Sequence, residues 1–214
     1  AGGHTVEDPE PKFGLAIVGE VNPKNLLKNS EFRENDLVIL TKKLGIGVIT
    51  TAIKKQESTQ EATEAAITSM LRLNDQAAKI AIEVGATGAT DITGFGLLGH
   101  LGRAAQESKV NIEIDVSEVP LLPDARKLAL AGNLPGGSQR NLEWIEDRVD
   151  ASSVEDIDVH LLADAQTSGG LVFGVQPEKV ETALKKLIET GHDAAVIGRM
   201  HSGSGLIRLS NRQK

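Results

Sequence analysis

The stretch Ala89-Thr90-Asp91-Ile92-Thr93-Gly94-Phe95-Gly96-Leu97-Leu98-Gly99-His100 holds the residue types best suited to chemistry. A short apolar approach delivers a carboxylate, a glycine-broken turn follows, and an amphipathic helix begins. Glycines let a backbone turn sharply and leave amide N–H groups uncovered. With the positive end of a helix behind them, such groups suit a phosphate. Asp91 at the mouth could hold a hard cation such as Mg²⁺ against that phosphate. The plainer role for Asp91 is the N-cap of the helix, and the local pattern alone favours it, because caps are far commoner than metal ligands. His100 on that helix reads as a packed or capping residue, since no acid or nucleophile is spaced to pair with it.

Three other segments carry glycines beside polar side chains. Leu37 to Leu40 reads as a buried strand and runs into Thr41-Lys42-Lys43-Leu44-Gly45-Ile46-Gly47, then a helix from Val48 to Lys55. This loop lacks the third dinucleotide glycine and the Walker lysine-hydroxyl pair, so tight strand-to-helix packing is its expected role. Pro135-Gly136-Gly137-Ser138-Gln139-Arg140-Asn141 has turn chemistry. Arg140 there could reach a phosphate or a carboxylate, or simply close a surface loop. Asp164-Ala165-Gln166-Thr167-Ser168-Gly169-Gly170 precedes an apolar strand, Leu171 to Val175. It could line a ligand site or let two backbones approach closely.

The remaining elements must position these segments. Pro9 and Pro11 exclude a regular element before Lys12, and Phe13 to Glu20 alternates as a strand. A short helix is expected over Pro23 to Lys28, capped by Asn22. Ser58 and Glu61 form a capping box ahead of the stripe Ala62, Ala66, Met70 and Leu73. A second helix restarts at Asn74, with Ala77, Ile80, Ala81 and Val84 inward and Gly85 as its stop. Ile112, Ile114 and Val116 alternate as a strand, Asp124 to Ala131 is a short helix, and Trp144 packs a helix face. The acidic run from Asp147 to Asp158 reads as a solvated connection. Pro177 opens an amphipathic helix with Val180, Ala183, Leu184, Leu187 and Ile188 on one side. Strands at Ala194 to Gly198 and Leu206 to Leu209 are joined by the turn Gly203-Ser204-Gly205.

The chain's 214 residues suffice for one large domain, or a domain plus a piece of another. Aromatics are only 2%, so the core must be built from Ile, Leu, Val and Ala. A net charge of -7 without a long basic run argues against nucleic acid or an anionic membrane as partner. The lack of cysteine removes disulfides, thiolate metal sites and cysteine nucleophiles, and it fits a cytoplasmic protein. No apolar run approaches the roughly 20 residues that span a bilayer, and no signal peptide is visible. The start at Ala1, without Met, looks like the middle of a longer protein.

Thr90 through His100 closely resembles a signature of the selenophosphate synthetases (selenide, water dikinases). These belong to the superfamily of ATP-dependent synthetases that includes aminoimidazole ribonucleotide synthetase. Four further segments are similar to family words in the same order: Gly2-Gly3-His4-Thr5 with the Pro-Glu-Pro after it, Thr41 to Gly47, Pro135 to Asn141, and Asp164 to Gly170. Two residues depart from the pattern: Lys43 and Ala165 stand where proline is expected.

The resemblance implies an α/β fold, a mixed sheet flanked by helices (α+β), as the C-terminal domain of the aminoimidazole ribonucleotide synthetase-like fold over residues 22–214. Residues 1–21 would be the last strand of an N-terminal ATP-binding domain. By the same resemblance, Gly2, Gly3, His4 and Thr5 match ATP-contacting positions and Asp91 an Mg²⁺ ligand. The implied enzyme makes selenophosphate from selenide and ATP, releasing AMP and orthophosphate, and supplies selenium for selenocysteine and selenouridine. Its catalytic Cys (or selenocysteine) and Lys would lie in the absent N-terminal domain, so this chain would hold no catalytic residue and be inactive alone. A cytoplasmic homodimer is implied for the full-length form. Two other readings stay open: a sister ATP-dependent synthetase or kinase of the superfamily, and a non-catalytic binding or dimerisation module.

Overall fold

A computed structural model describes Pro9 and residues 18–212. The expected ATP contacts Gly2, Gly3, His4 and Thr5 therefore lie outside the described residues, as does most of the strand expected from Phe13. Its last residues, Val18 to Glu20, carry no regular structure.

The frame is a seven-stranded mixed sheet flanked by helices. Its strands are β1 (Leu37–Leu40), β2 (Ala89–Asp91), β3 (Val110–Asp115), β4 (Val149–Asp150), β5 (Leu171–Val175), β6 (Ala195–Ser202) and β7 (Ile207–Ser210). They lie in the order β2-β5-β1-β6-β3-β7-β4. The pairs from β2 to β3 are antiparallel, while β3 with β7 and β7 with β4 are parallel. The eight α-helices among the described residues are α1 (Ile46–Lys54), α2 (Gln60–Leu71), α3 (Asp75–Glu83), α4 (Gly96–Ser108), α5 (Ala125–Leu130), α6 (Gly136–Ile145), α7 (Asp156–Leu162) and α8 (Val180–Glu189).

The period-two alternation of a strand sends neighbouring side chains to opposite faces. In β1, Val38 and Leu40 join a core with Ile112, Ile114 and Leu97, Leu98 and Leu101 of α4. Ile39, between them, joins Phe173 and Val175 against α3 and α8, through Ala77, Ile80, Ala183 and Leu187. Burial on both faces explains why β1 reads as an unbroken apolar run. A third cluster fuses α1, α2 and α5 through Ile46, Ile49, Ala62, Ala66 and Leu128.

Register decides which loops meet. Leu40 stands opposite Val172, and Asp91 opposite Leu171. The end of β1, the end of β2 and the start of β5 therefore share one edge of the sheet. The loops from Thr41 to Gly47, Asp91 to Gly96 and Asp164 to Gly170 all leave from it.

Several local expectations change. Pro135 to Asn141 is not a free turn: Pro135 takes the N-cap position and α6 begins at Gly136. Thr59, rather than Ser58, caps α2, its hydroxyl accepting the Ala62 N–H at 3.2 Å. Leu73 falls beyond the helix end and is 73% exposed. Val116 leaves the strand for a 3-10 turn, Val116–Glu118. The acidic connection contains β4 and the first turn of α7. The two final strands are joined by the glycine turn but do not pair, because β3 lies between them. Asn111 on β3 fixes that turn, its Oδ1 accepting the N–H groups of Ser204, Gly205 and Leu206.

Candidate functional site

Asp91 ends the edge strand β2, and its side chain is exposed. The helix starts five residues later, with Phe95 in the cap position and no side-chain cap bond. The plain reading of Asp91 as N-cap therefore fails, and its carboxylate is left at the surface. It borders an open groove lined by Ser30, Asn74, Ala78 and Thr90.

The backbone between Asp91 and α4 is tied to its surroundings at several points. Ile92 N–H donates to Gly170 O at 2.9 Å, and Gln166 N–H donates to Thr93 O at 3.0 Å. Asn141 Nδ2 donates to Gly94 O at 2.8 Å and to Ala163 O at 3.1 Å. Gly96 is the glycine this turn cannot replace. Its φ is +67°, and a Cβ there would sit 2.6 Å from the Ala163 carbonyl.

His100 ties the helix back to the turn. Its Nε2 lies 3.0 Å from the Thr93 N–H it accepts and 3.0 Å from Thr93 Oγ1. An Nε2 that accepts a backbone N–H must be unprotonated, so the ring is neutral with its proton on Nδ1. Burial lowers its pKa below the ordinary histidine value, and the Asp91 carboxylate partly opposes that shift. His100 is the packed, structural residue that its spacing suggests.

Asp164 joins segments far apart in the chain. It is 1% exposed. Its Oδ2 accepts from Gly47 N–H at 2.9 Å, Val48 N–H at 3.3 Å and Gln166 Nε2 at 2.9 Å. Its Oδ1 accepts from Ser138 Oγ at 3.3 Å, and that hydroxyl accepts the Ala165 N–H at 3.2 Å. A carboxylate on the first amides of α1 also meets the positive end of the helix. Burial nevertheless pushes its pKa up to about 6, because desolvation outweighs the four hydrogen bonds.

The loop after Asp164 is held from the other side. Lys42, buried beside β1, donates its Nζ hydrogens to Ser168 O at 2.8 Å, Arg72 O at 2.7 Å and Ser69 O at 3.1 Å. Burial, then the nearby Arg72 charge, lowers its pKa. Asn74 Nδ2 donates to Gly169 O at 2.8 Å. Gly170 packs so tightly that a Cβ would lie 2.7 Å from Lys42 N, and one on Gly169 would collide with Ile92 O. The close backbone approach expected of this loop is present.

Of the three other described sequence words, Pro135 to Asn141 and Asp164 to Gly170 thus meet the Asp91 turn, and Thr41 to Gly47 meets Asp164. Arg140 is exposed, its guanidinium folded over Gly136 and Gly137 at the start of α6. Beside the turn, Phe95 and Trp144 are each 58% exposed and stack with ring centroids 6.0 Å apart. Trp144 lies at the surface against the Phe95 ring and beside Gly99, on the face of α4, as expected from the sequence. Asp164, Lys42 and Asn141 were not singled out in the sequence. The signal for Asp164 was its place inside Leu161-Leu162-Ala163-Asp164-Ala165, where a lone charge among apolar residues marks a buried, paired group.

Among the described residues, no three His, Cys, Asp or Glu side chains gather as a metal cage. Asp91 offers one hard oxygen ligand. That fits Mg²⁺, which takes one or two carboxylates and completes its shell with water and substrate phosphates.

The model of the family described as AIR synthase related protein, C-terminal domain, matches residues 33–208. The chain is 45% identical over 201 residues to a selenide, water dikinase of Caldanaerobacter subterraneus subsp. tengcongensis, covering 94% of this chain and 58% of that protein. It thus spans under two thirds of that relative's length. Its backbone is similar to a crystal structure of thiamine-monophosphate kinase from Stenotrophomonas maltophilia K279a, with a TM-score of 0.61 at 15% identity, covering 86% of this chain and 52% of that one. It is similar also to the hydrogenase maturation protein HypE in complex with ATP, with a TM-score of 0.60 at 16% identity, covering 91% and 52%.

Proposed function

The chain belongs to the family of AIR synthase related proteins, whose C-terminal domain it carries, and from that premise we propose that it is the C-terminal part of a selenide, water dikinase. Such an enzyme makes selenophosphate from selenide and ATP and releases AMP and orthophosphate. The observation that carries the reading is the Asp91 turn. Its carboxylate is free at the surface while its backbone is fixed by Gln166, Gly170 and Asn141. A rigidly held, uncommitted carboxylate suits phosphoryl transfer, which depends on positioning and charge neutralisation more than on covalent chemistry.

In this reading Asp91 is one ligand of Mg²⁺, which supplies charge neutralisation on the triphosphate. Residues 1–21 end the ATP-binding domain, with Gly2, Gly3, His4 and Thr5 along the nucleotide, and 22–214 form the synthetase domain. The catalytic Cys and Lys stand in the part of the relatives' length that this chain does not span. The complete protein is a cytoplasmic homodimer, and the selenophosphate feeds selenocysteine and selenouridine synthesis.

The test is selenide-dependent conversion of ATP to AMP and orthophosphate with Mg²⁺, in a protein that includes the remaining length of the relatives. Asp91→Asn should lower that turnover by about two orders of magnitude. Residues 1–214 alone should show none. Full turnover in the Asp91→Asn protein, or ATP turnover by 1–214 alone, would overturn the reading.

A further inference from the structure

Asp91 can present its carboxylate reproducibly only if something sets the position of its turn. Within itself the turn has a backbone bond from Gly96 N–H to Thr93 O at 3.0 Å. Besides His100 Nε2 on the Thr93 N–H, which ties it to its own helix, its fixed points are Gly170 O for the Ile92 N–H, the Gln166 N–H on Thr93 O, and the Asn141 amide on Gly94 O. Two of these belong to the loop that starts at Asp164, and the third to α6. One carboxylate joins both supports. Asp164 accepts from Gln166 Nε2 in the loop and from Ser138 Oγ in the first turn of α6. It anchors the pair to α1 through the Gly47 and Val48 amides.

We propose that Asp164 is the positioning residue of the Asp91 turn, holding the Gln166 loop and α6 at the spacing from which that turn hangs. It touches no reacting atom; its action passes through Gln166, Ser138 and Asn141. Among the described residues, no ion pair holds the turn: its supports from the loop and from α6 are backbone or amide hydrogen bonds, and His100 adds its ring nitrogen from α4. The consequence for metal binding rests on the reading of Asp91 above, but the geometry does not.

The experiment compares wild type, Asp164→Asn, Asp164→Ala and Ser138→Ala of this chain by site-resolved amide hydrogen exchange and by emission of the single tryptophan. Asparagine keeps an oxygen for the Gly47, Val48 and Gln166 donors and offers Ser138 Oγ an N–H. Alanine removes every acceptor. In Asp164→Ala the Ile92 and Gln166 amides should exchange about tenfold faster relative to those of β3, the factor for one net hydrogen bond. Asp164→Asn should return that ratio to near the wild-type value. Trp144 emission should shift in Asp164→Ala, and less in Ser138→Ala, because α6 carries Trp144 against Phe95.

A purely structural carboxylate would speed exchange in β3 as much as in the turn, and that result would overturn the proposal. So would an unchanged Ile92-to-β3 ratio in both Asp164→Ala and Ser138→Ala. If Asp164→Ala does not fold, a turn-specific rise in Ser138→Ala supports the proposal and its absence refutes it. No readout uses metal, nucleotide or selenide. A turn that follows Asp164 beside an Asp91 that binds nothing would therefore sink the functional reading and leave this one standing.

Discussion

Replacing Gly47 with alanine sets two effects of opposite sign against each other. Gly47 is the second residue of α1, where alanine is intrinsically better than glycine by about 1 kcal/mol. The added methyl, however, would overlap Asp164 Oδ1 and lie 2.7 Å from Ala165 O. Asp164 is buried, so its carboxylate cannot escape to water. It must rotate away or α1 must shift, and either movement breaks its bonds to the Gly47 and Val48 amides. Hydrogen bonds to a charged group contribute roughly 1.5–3 kcal/mol each. Losing even one outweighs the propensity gain, and losing both gives a net destabilisation of about 2–5 kcal/mol. Urea denaturation at pH 7, followed by Trp144 emission, measures it. In an Asp164→Ala background only the close approach to Ala165 O remains, so Gly47→Ala should cost less than it does in wild type, and the cycle should show coupling of at least about 1.5 kcal/mol, one hydrogen bond to a charged group. A Gly47→Ala protein as stable as wild type, or costs that simply add, would refute the steric reasoning.

Two titrations test the electrostatics. Asp164 titrates near 6 when folded against 3.8 when unperturbed, so the native state binds the extra proton in that window and stability falls as pH rises through it. Asp164→Asn does not titrate, and its stability relative to wild type should therefore rise by about 3 kcal/mol between pH 4 and pH 7, at 1.36 kcal/mol per pH unit; a pH-independent difference would contradict the burial argument. His100 should titrate below the ordinary value of 6.5 in an NMR pH series, and Asp91→Asn should lower it further by removing the one nearby carboxylate that favours the imidazolium. A His100 midpoint at or above 6.5 would contradict the neutral, N–H-accepting ring.

The sheet was legible where periodicity was strong. Leu37 to Leu40, Leu171 to Val175 and the helix after Pro177 stand where alternation and amphipathicity placed them. Helix starts were less legible, because propensity speaks weakly at glycines. Gly136 and Gly137 argued for a turn, yet α6 begins there because Pro135 supplies the φ of the cap position and Ser138 and Asn141 are buried against other loops. Asp91 was found by its neighbours' types, but setting aside the cap needed the five-residue gap to α4. Asp164 and Lys42 escaped for a common reason. Each satisfies backbone groups from residues more than 100 positions away, so no local pattern names its partners, even where the apolar run around Asp164 signals that it is buried.

The antiparallel pairing of β2 with β5 has a consequence for the chain as it is made. Asp91 emerges from the ribosome roughly 80 residues before Gly170, which at 5–20 residues per second is a delay of roughly 4–16 s. Until then Ile92 has no carbonyl to bond and β2 no strand beside it. The most chemically suggestive turn of the protein is thus among the last to acquire its shape. A nascent chain stalled before residue 170 would display that carboxylate on a tether rather than on a mount.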